Sequence, residues 1–220
     1  MNAYFLITLL FAFGATNLYA QRCEGQVVTN PLDKTKSYLI GSDKAPKYYV
    51  NNDLNFYITD DDDPQAIVRV STFCPQGVIS SYGDTIKIMF DNKQSIILVN
   101  RRESLAKRVS DSYAFYTTYY HYIDVLAFID KDQLKTIADH NITRFTYYFR
   151  HIPDALDINV AIERESSFWL SKKTKFDFIA PYFFVDAVDE TANSKKYHGK
   201  NARCVLTLLS DKTYLKGLIK

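Results

Sequence analysis

The chain has 220 residues, of which 47% are hydrophobic and 15% aromatic. This apolar content excludes an intrinsically disordered protein, and the low counts of 7 Gly and 6 Pro exclude a collagen or a low-complexity linker. A formal net charge of +2 argues against nucleic acid as the partner, because nucleic-acid binding depends on dense neutralisation of phosphates.

The N-terminal segment has the layout of a secretory signal peptide. No charged side chain precedes Arg22, and residues 3–13 are almost entirely apolar. Residues 14–17 then weaken the helix, and Ala20 supplies the small residue at the cleavage point. A spanning anchor needs about 20 apolar residues, more than this run provides. The sequence therefore predicts a signal peptide over residues 1–20 and a mature chain with no integral membrane span.

Export would place the mature chain in the periplasm, at the outer membrane or outside the cell, where disulfides are stable. The cysteines, Cys23, Cys74 and Cys204, allow one disulfide and leave one thiol, and their spacing does not say which two are joined. No pair of Cys or His residues has the spacing of zinc ligands. The sequence predicts no metal site and no cofactor.

Short apolar runs separated by turn residues predict antiparallel strands after residue 35. The candidate strands lie at residues 37–40, 47–50, 54–59 and 66–73, followed by a hairpin at residues 84–100. The run Asp60–Asp63 offers carboxylates to a hard cation, but it lacks the Gly and the closing Glu of an EF-hand loop. We interpret it as a solvated turn.

The charged segment at residues 101–108 fits a loop or a helical turn, and residues 113–129 are dense in aromatic strand formers. The aromatic segment predicts one bent strand, or two strands broken near Thr117 and Thr118. Period-two alternation then puts Tyr116, Tyr120 and Tyr122 on one face and Tyr119 on the other.

Beyond this segment, Asp130 and Gln133 form a capping box that predicts a helix ending at His140, and residues 142–149 return as a strand. The last third predicts a strand at 157–162, a helix at 163–180, strands at 182–188 and 204–209, and a hairpin turn at 210–213. The predicted fold class is α+β, mainly antiparallel β-sheet with one or two short helices. Residues 21–150 would form a β-rich domain with one short helix, and residues 151–220 either extend it or form a small second α+β unit.

The order of elements in the middle of the chain resembles a pattern in small exported bacterial β-rich proteins of unknown function. These elements are Cys74, the hairpin strands IKIMF and SIILV, an aromatic strand and the helix-strand segment DKDQLKTIADHNITRFTYYF. The resemblance covers residues 73–149, about a third of the chain. It implies export, a β-rich fold and a bacterial source, and it carries no catalytic residue.

The aromatic density suggests a binding role. Aromatic faces stack on sugar rings, and tyrosine adds a hydroxyl at the wet edge. Tyr116, Tyr119, Tyr120 and Tyr122 are therefore candidate binding residues, and the alternative is that these rings fill the core of the sheet. The leading hypothesis is a non-catalytic envelope or extracellular binding or scaffolding module whose partner is an envelope glycan or a protein.

Two further features leave alternatives open. A secreted hydrolase would need carboxylate and histidine side chains to converge, and Asp124, His121, Glu163 and Glu165 are the candidates to place. Residues 195–220 hold seven Lys and Arg side chains against one Asp. That basic end suits acidic lipid headgroups or polyanionic glycans, or it is simply a solvated edge.

The predicted leader has a direct test. We expect protein recovered after export to begin at Gln21, because Ala20 is the small residue at the cleavage point. Intact-mass and N-terminal peptide spectrometry measure this. Recovery of residues 1–20 on the exported protein would contradict the prediction.

Overall fold

The computed structural model describes residues 23–42, 52–74, 77–113, 116–150, 175–179, 182–187 and 195–219. Within these ranges the chain forms an α+β fold, mainly antiparallel sheet with three short α-helices, which confirms the predicted class. The strands are β1 (Gln26–Thr29), β2 (Lys36–Ile40), β3 (Asn52–Thr59), β4 (Ala66–Phe73), β5 (Ile79–Ser80), β6 (Thr85–Phe90), β7 (Ser95–Val99), β8 (Ser104–Leu105), β9 (Lys107–Tyr113), β10 (Tyr116–Ile129), β11 (Ile142–Arg150), β12 (Lys175–Ile179) and β13 (Tyr182–Ala187). The helices are α1 (Lys131–Asp139), α2 (Lys200–Ser210) and α3 (Lys212–Ile219), and a π-helical turn at Lys195–Gly199 precedes α2.

Sheet 1 contains six strands in the order β1-β2-β3-β4-β10-β9, each antiparallel to its neighbours. Strands β1 to β4 follow one another as a meander, and the β9–β10 hairpin joins at the far side. The register places Asp124 of β10 opposite Ser71 of β4, and Leu126 opposite Arg69. These two cross-strand pairs lie at the centre of the candidate site.

Sheet 2 is built around β11, which pairs with β13 on one side and with β6 on the other. Strand β12 extends the sheet beyond β13, and β7 extends it beyond β6. At the end of β11, Arg150 pairs with Ile79 of β5, which in turn pairs with β8. The predicted hairpin at residues 84–100 is confirmed as β6 and β7.

One continuous apolar core lies between the two sheets. Alternate residues of β10 contribute Ile123, Val125, Ala127 and Ile129 to it, each 5% exposed or less. Sheet 2 contributes apolar side chains from β6, β7 and β11. The Tyr147 hydroxyl donates to Asn52 Oδ1 at 2.6 Å within this core, so the ring is buried without stranding its polar end.

Helices α2 and α3 pack over β2 and β3, and α1 packs against α2. Helix α1 begins at the predicted capping box: Gln133 N–H donates to Asp130 Oδ1 at 2.8 Å, and Asp130 N–H donates to Gln133 Oε1 at 3.1 Å. Its buried stripe is Leu134, Ile137 and Ala138, as the periodicity predicted. Helices α2 and α3 bury their apolar faces in the same core, and β12 and β13 belong to sheet 2.

A disulfide joins Cys23 to Cys204 across 181 positions of the chain, with their Cα atoms 5.4 Å apart. It ties the segment before β1 to helix α2. Cys74, at the end of β4, is buried in the main core and takes no part in the disulfide. The structure thus resolves the pairing that the sequence left open.

The C-terminal region differs from the sequence prediction. Residues 204–209, predicted as a strand, lie within α2. Residues 210–213, predicted as a hairpin turn, instead span the junction of two helices: Ser210 ends α2, Asp211 lies between, and Lys212 begins α3. A short apolar run fits a buried strand and a buried helix equally well. The helix is selected because Ala202, Val205 and Leu209 then fall on one buried face.

The helix predicted over residues 163–180 is wrong at its C-terminal end, because Lys175–Ile179 forms strand β12 against β13. Phe176 and Phe178 lie in that strand, and aromatic residues favour strands as readily as a buried helix. The rest of that prediction, at residues 163–174, and the predicted strands at 47–50 and 157–162 lie outside the described residues. The strand predicted at 182–188 is confirmed over Tyr182–Ala187.

The aromatic segment forms parts of two strands, but the break differs from the prediction. Tyr113 ends β9 and pairs with Tyr116, which begins β10, so Thr117 and Thr118 lie inside a strand. The segment at residues 101–108, predicted as a loop or helical turn, instead supplies β8 and the start of β9. Of its charged residues, Lys107 and Arg108 lie in β9, the edge strand of sheet 1, where charged side chains are common.

Removing the disulfide has a defined expected cost. We expect Cys23→Ser to lower the free energy of unfolding by about 2–5 kcal/mol, because an unfolded chain without the cross-link gains conformational entropy. Urea unfolding with and without reductant measures the loss. Reductant should lower the stability of the unmodified protein and leave that of the Cys23→Ser variant unchanged. Equal sensitivity to reductant in the variant and the unmodified protein would contradict the Cys23–Cys204 pairing.

Candidate functional site

The two faces of sheet 1 differ in chemistry. The inner face carries the apolar residues of the main core, whereas the outer face of β10 carries Tyr120, Tyr122, Asp124, Leu126 and Phe128 by period-two alternation. At one end of this outer face, Leu39, Tyr57, Ile67 and Leu126 form a small second apolar cluster, with Val28 and Leu32 packed against it. The outer face is thus covered only in part by the N-terminal segment.

Beside this small cluster, the outer face opens into a cavity of about 410 Å³. Buried side chains form its floor: Tyr57, Arg69, Asp124 and Leu126. Partly or fully exposed residues form its rim: Thr29, Pro31, Arg102, Glu103, Ser104, Leu105 and Lys107. The volume lies within the range of ligand-binding cavities, about 300–1,000 Å³.

Arg69 lies almost fully buried on the cavity floor. One of its terminal nitrogens donates to the carbonyl oxygen of Ser42, and its guanidinium lies 5.8 Å from the centre of the Tyr57 ring. Ser42 is placed by its neighbours: its N–H donates to Asn55 Oδ1 at 2.6 Å, and Gly41 before it has φ of 120° with no room for a Cβ beside Asn55. Glycine is required at this position.

Asp124 is the second buried charge on the floor, at 6% exposure. Its carboxylate accepts two hydrogen bonds, from Ser71 Oγ at 2.6 Å and from Lys107 Nζ at 2.9 Å. The Lys107 ammonium also lies 5.5 Å from the centre of the Tyr122 ring. The Lys107 side chain is 56% exposed, so the ammonium lies between the buried carboxylate and solvent.

The rim is held by hydrogen bonds to the N-terminal segment and to β10. Arg102 donates to the carbonyl of Pro31 at 2.8 Å. The fully buried Asn100 donates to Ser80 Oγ at 2.7 Å and accepts the Arg102 and Leu126 backbone N–H groups, both at 3.2 Å. Asn100 therefore fixes the segment that carries residues 101–107 beside β10.

Of the predicted tyrosines, Tyr119 lies on one face of β10, and Tyr120 and Tyr122 lie on the other. Tyr116 begins β10, opposite Tyr113. Tyr119 is 54% exposed, and the Arg108 guanidinium lies 4.2 Å from the centre of its ring. Tyr120 and Tyr122 lie on the outer face but do not line the cavity, and Tyr120 contacts Phe73 edge to face at 5.1 Å.

The hydrolase candidates do not converge in the described part of the chain. Asp124 lines the cavity, but strand alternation directs His121 to the opposite face of β10. Glu163 and Glu165 lie outside the described residues. The Asp124 carboxylate accepts hydrogen bonds from Lys107 and Ser71. These bonds give it a structural and electrostatic role.

The acidic turn and part of the basic C-terminal region contact each other. Lys216 Nζ lies 2.8 Å from Asp62, and Lys212 Nζ lies 3.0 Å from Asp63. The hydrogen bond from Lys216 holds the pKa of the Asp62 carboxyl below its ordinary value and raises the pKa of Lys216. These pairs are exposed and contribute little stability, but they attach α3 to the β3–β4 turn.

Across the described ranges, no group of three or more His, Cys, Asp or Glu side chains is placed to hold a metal ion. The helices found there are also too short or too polar to cross a membrane. Comparison with family models, curated proteins and solved structures finds no match to this chain.

Sequence reasoning missed most of the cavity: Tyr57, Arg69, Arg102 and Lys107 were not candidates. One signal was present, since Arg69 is a charged residue inside the apolar strand AIVRVSTF. A charge in a run that is otherwise buried needs a partner or a function. The other lining residues come from distant parts of the chain, and no local pattern marks them.

The Lys107–Asp124 pair predicts an asymmetric mutational response. We expect Lys107→Met to lower the free energy of unfolding by about 1–3 kcal/mol, because it leaves a buried carboxylate with one fewer donor. Asp124→Asn should cost less, since Asn still accepts from Ser71 and Lys107 can turn to solvent. Urea unfolding measures both.

Lys135→Met is the matched control for losing a surface lysine, because Lys135 is exposed on α1, and its effect should stay within about 0.5 kcal/mol. A larger loss for Asp124→Asn than for Lys107→Met would contradict the described roles.

Proposed function

We propose that the protein is an exported, non-catalytic binding module that holds its ligand in the outer-face cavity. One observation carries the proposal: Arg69 and Asp124 are almost fully buried on the floor of an open cavity. Burying charge costs free energy even where the charges are paired, and a sheet face with only a structural role is more stable with apolar side chains. Charged groups on a cavity floor are typical of sites that orient a ligand.

The lining residues support binding in a second way. Tyr57 and Leu126 give the cavity floor an apolar surface next to the charged groups, so a ligand with both a polar and an apolar face fits the cavity. Sugars have this character, since one face of the ring presents C–H groups and the edge presents hydroxyls. An envelope glycan is the partner we favour.

The disulfide supports the export part of the proposal. Structural disulfides persist in oxidising compartments such as the periplasm and the extracellular space, and they are rare in the cytosol. Cys23 lies just beyond the proposed cleavage point after Ala20, so the cross-link to Cys204 belongs to the mature chain. We propose a periplasmic, outer-membrane-associated or extracellular location.

The binding proposal is tested by titrating the ¹⁵N-labelled protein with galacturonate, N-acetylglucosamine and glucose and recording amide shifts. We expect at least one of these sugars to cause saturable shifts centred on Tyr57, Ser104 and Leu126, because these residues line the cavity. Absence of shifts for all three, or shifts centred elsewhere, would contradict the proposal.

A rim variant sharpens this test. Leu105 lines the cavity and is 58% exposed, so the Leu105→Trp variant should fold while its larger side chain narrows the cavity entrance. Any sugar that binds the unmodified protein should bind this variant roughly tenfold more weakly. Ile97 is 57% exposed and does not line the cavity, which makes Ile97→Trp the matched control. Equal affinity in the two variants would place the binding site elsewhere.

A further inference from the structure

The outer face of β10 continues beyond the cavity in both directions. Tyr122 and Tyr120 follow Asp124 towards the start of the strand, and Phe128 follows Leu126 towards its end. Tyr120 and Phe128 are eight residues apart, so this line of side chains is about 26 Å long at about 3.3 Å per residue. We call the line from Tyr120 to Phe128 the aromatic strip.

A cation lies beside an aromatic ring at Tyr122, near one end of the aromatic strip, and at Phe128, its other end. Lys107 lies next to Tyr122, and the Arg101 guanidinium lies 5.8 Å from the centre of the Phe128 ring. Arg101 also donates to the Tyr82 hydroxyl at 3.1 Å, and Tyr82 is 65% exposed. In the middle, Arg69 lies over Tyr57 on the cavity floor. A cation thus lies beside an aromatic ring at three places along the strip.

From this arrangement we infer that the ligand is an extended acidic glycan, a chain of sugars carrying carboxylates, laid along the aromatic strip with one unit in the cavity. The inference rests on the proposed binding function and names its ligand class. Aromatic rings contact the apolar faces of successive sugars, and the neighbouring cations pair with carboxylates.

Charge selects an acidic chain over a neutral one. Arg69, Arg102 and Lys107 line the cavity against Glu103 and Asp124, and the carboxylate of Asp124 already accepts from Lys107 and Ser71. Arg101 adds a further cation at the Phe128 end. These four cations and two carboxylates carry a net charge of +2, which equals the formal charge of the whole chain, so positive charge is concentrated around the strip.

Single-stranded nucleic acid is the other polymer that binds to aromatic and basic surfaces. An acidic glycan is favoured because nucleic-acid sites follow a continuous phosphate backbone with dense cations, whereas here two carboxylates lie among the cations at the centre. The disulfide also favours an oxidising compartment, in which envelope glycans are abundant.

The test is titration calorimetry of the protein with a short oligogalacturonate, with galacturonate, with a neutral maltooligosaccharide of equal length and with oligothymidylate. We expect the oligogalacturonate to bind at least about tenfold more tightly than the single sugar, because the ends of the strip add contacts. Raising the salt concentration should weaken this binding through screening. The maltooligosaccharide should bind more weakly.

Two variants separate the strip from the cavity. Phe128→Ala should weaken oligogalacturonate binding roughly threefold to tenfold and leave galacturonate binding unchanged, because Phe128 lies outside the cavity. Arg101→Gln should weaken the oligomer roughly twofold to fivefold. Tyr214→Ala, at a 40% exposed ring on α3, and Lys135→Gln, on α1, are the matched controls and should leave binding unchanged.

The outcomes distinguish this inference from the proposed function. If galacturonate binds in the cavity and the oligogalacturonate binds no more tightly, the inference that a glycan lies along the aromatic strip is wrong, while the proposed binding function stands. Tighter binding of the maltooligosaccharide or of oligothymidylate would also overturn the acidic-glycan assignment. Failure of every sugar to bind at the cavity would overturn both proposals.

Discussion

The alternation of side chains along β10 is the constraint on which the rest of the structure depends. Its odd-numbered residues from Ile123 to Ile129 fill the core between the sheets, and its even-numbered residues form the outer face. A shift of one residue in register would bury Asp124 among aliphatic side chains and expose Val125. The same register therefore fixes the core and the candidate site.

Asn100 secures this register from outside the strand. It is fully buried, it donates to Ser80 and Ser81, and it accepts backbone N–H groups from Arg102 and Leu126. Because a buried amide needs its partners, any displacement of residues 100–102 from β10 would leave polar groups unsatisfied. The position of the cavity rim is thereby coupled to the position of β10, so the fold itself holds the candidate site in one arrangement.

Local patterns predicted the local elements. The capping box at Asp130 and Gln133 and the alternation in Ile86 and Ile88 need only neighbouring residues, and both elements are present. The helix at Cys204 was not predictable, because a short apolar run does not distinguish a strand from a helix until its partners are known. The cavity was not predictable for the same reason, since its floor takes residues from three strands that only the sheet brings together. Arg69 shows the limit clearly: all eight residues of β4 are buried, so no alternation in exposure separates its faces.

The bond between Cys23 and Cys204 has a consequence for the order of assembly. One of its sulfurs belongs to Cys23 and the other to Cys204 in helix α2, 181 positions later, so the bond can close only after strands β1 to β13 have been synthesised. Any pairing among β1 to β4 that precedes this closure is held by non-covalent contacts alone. The disulfide can therefore form only in a chain that includes helix α2. A shortened chain that lacks this helix would keep an unpaired thiol at Cys23, and enzymes that exchange disulfides could react with that thiol.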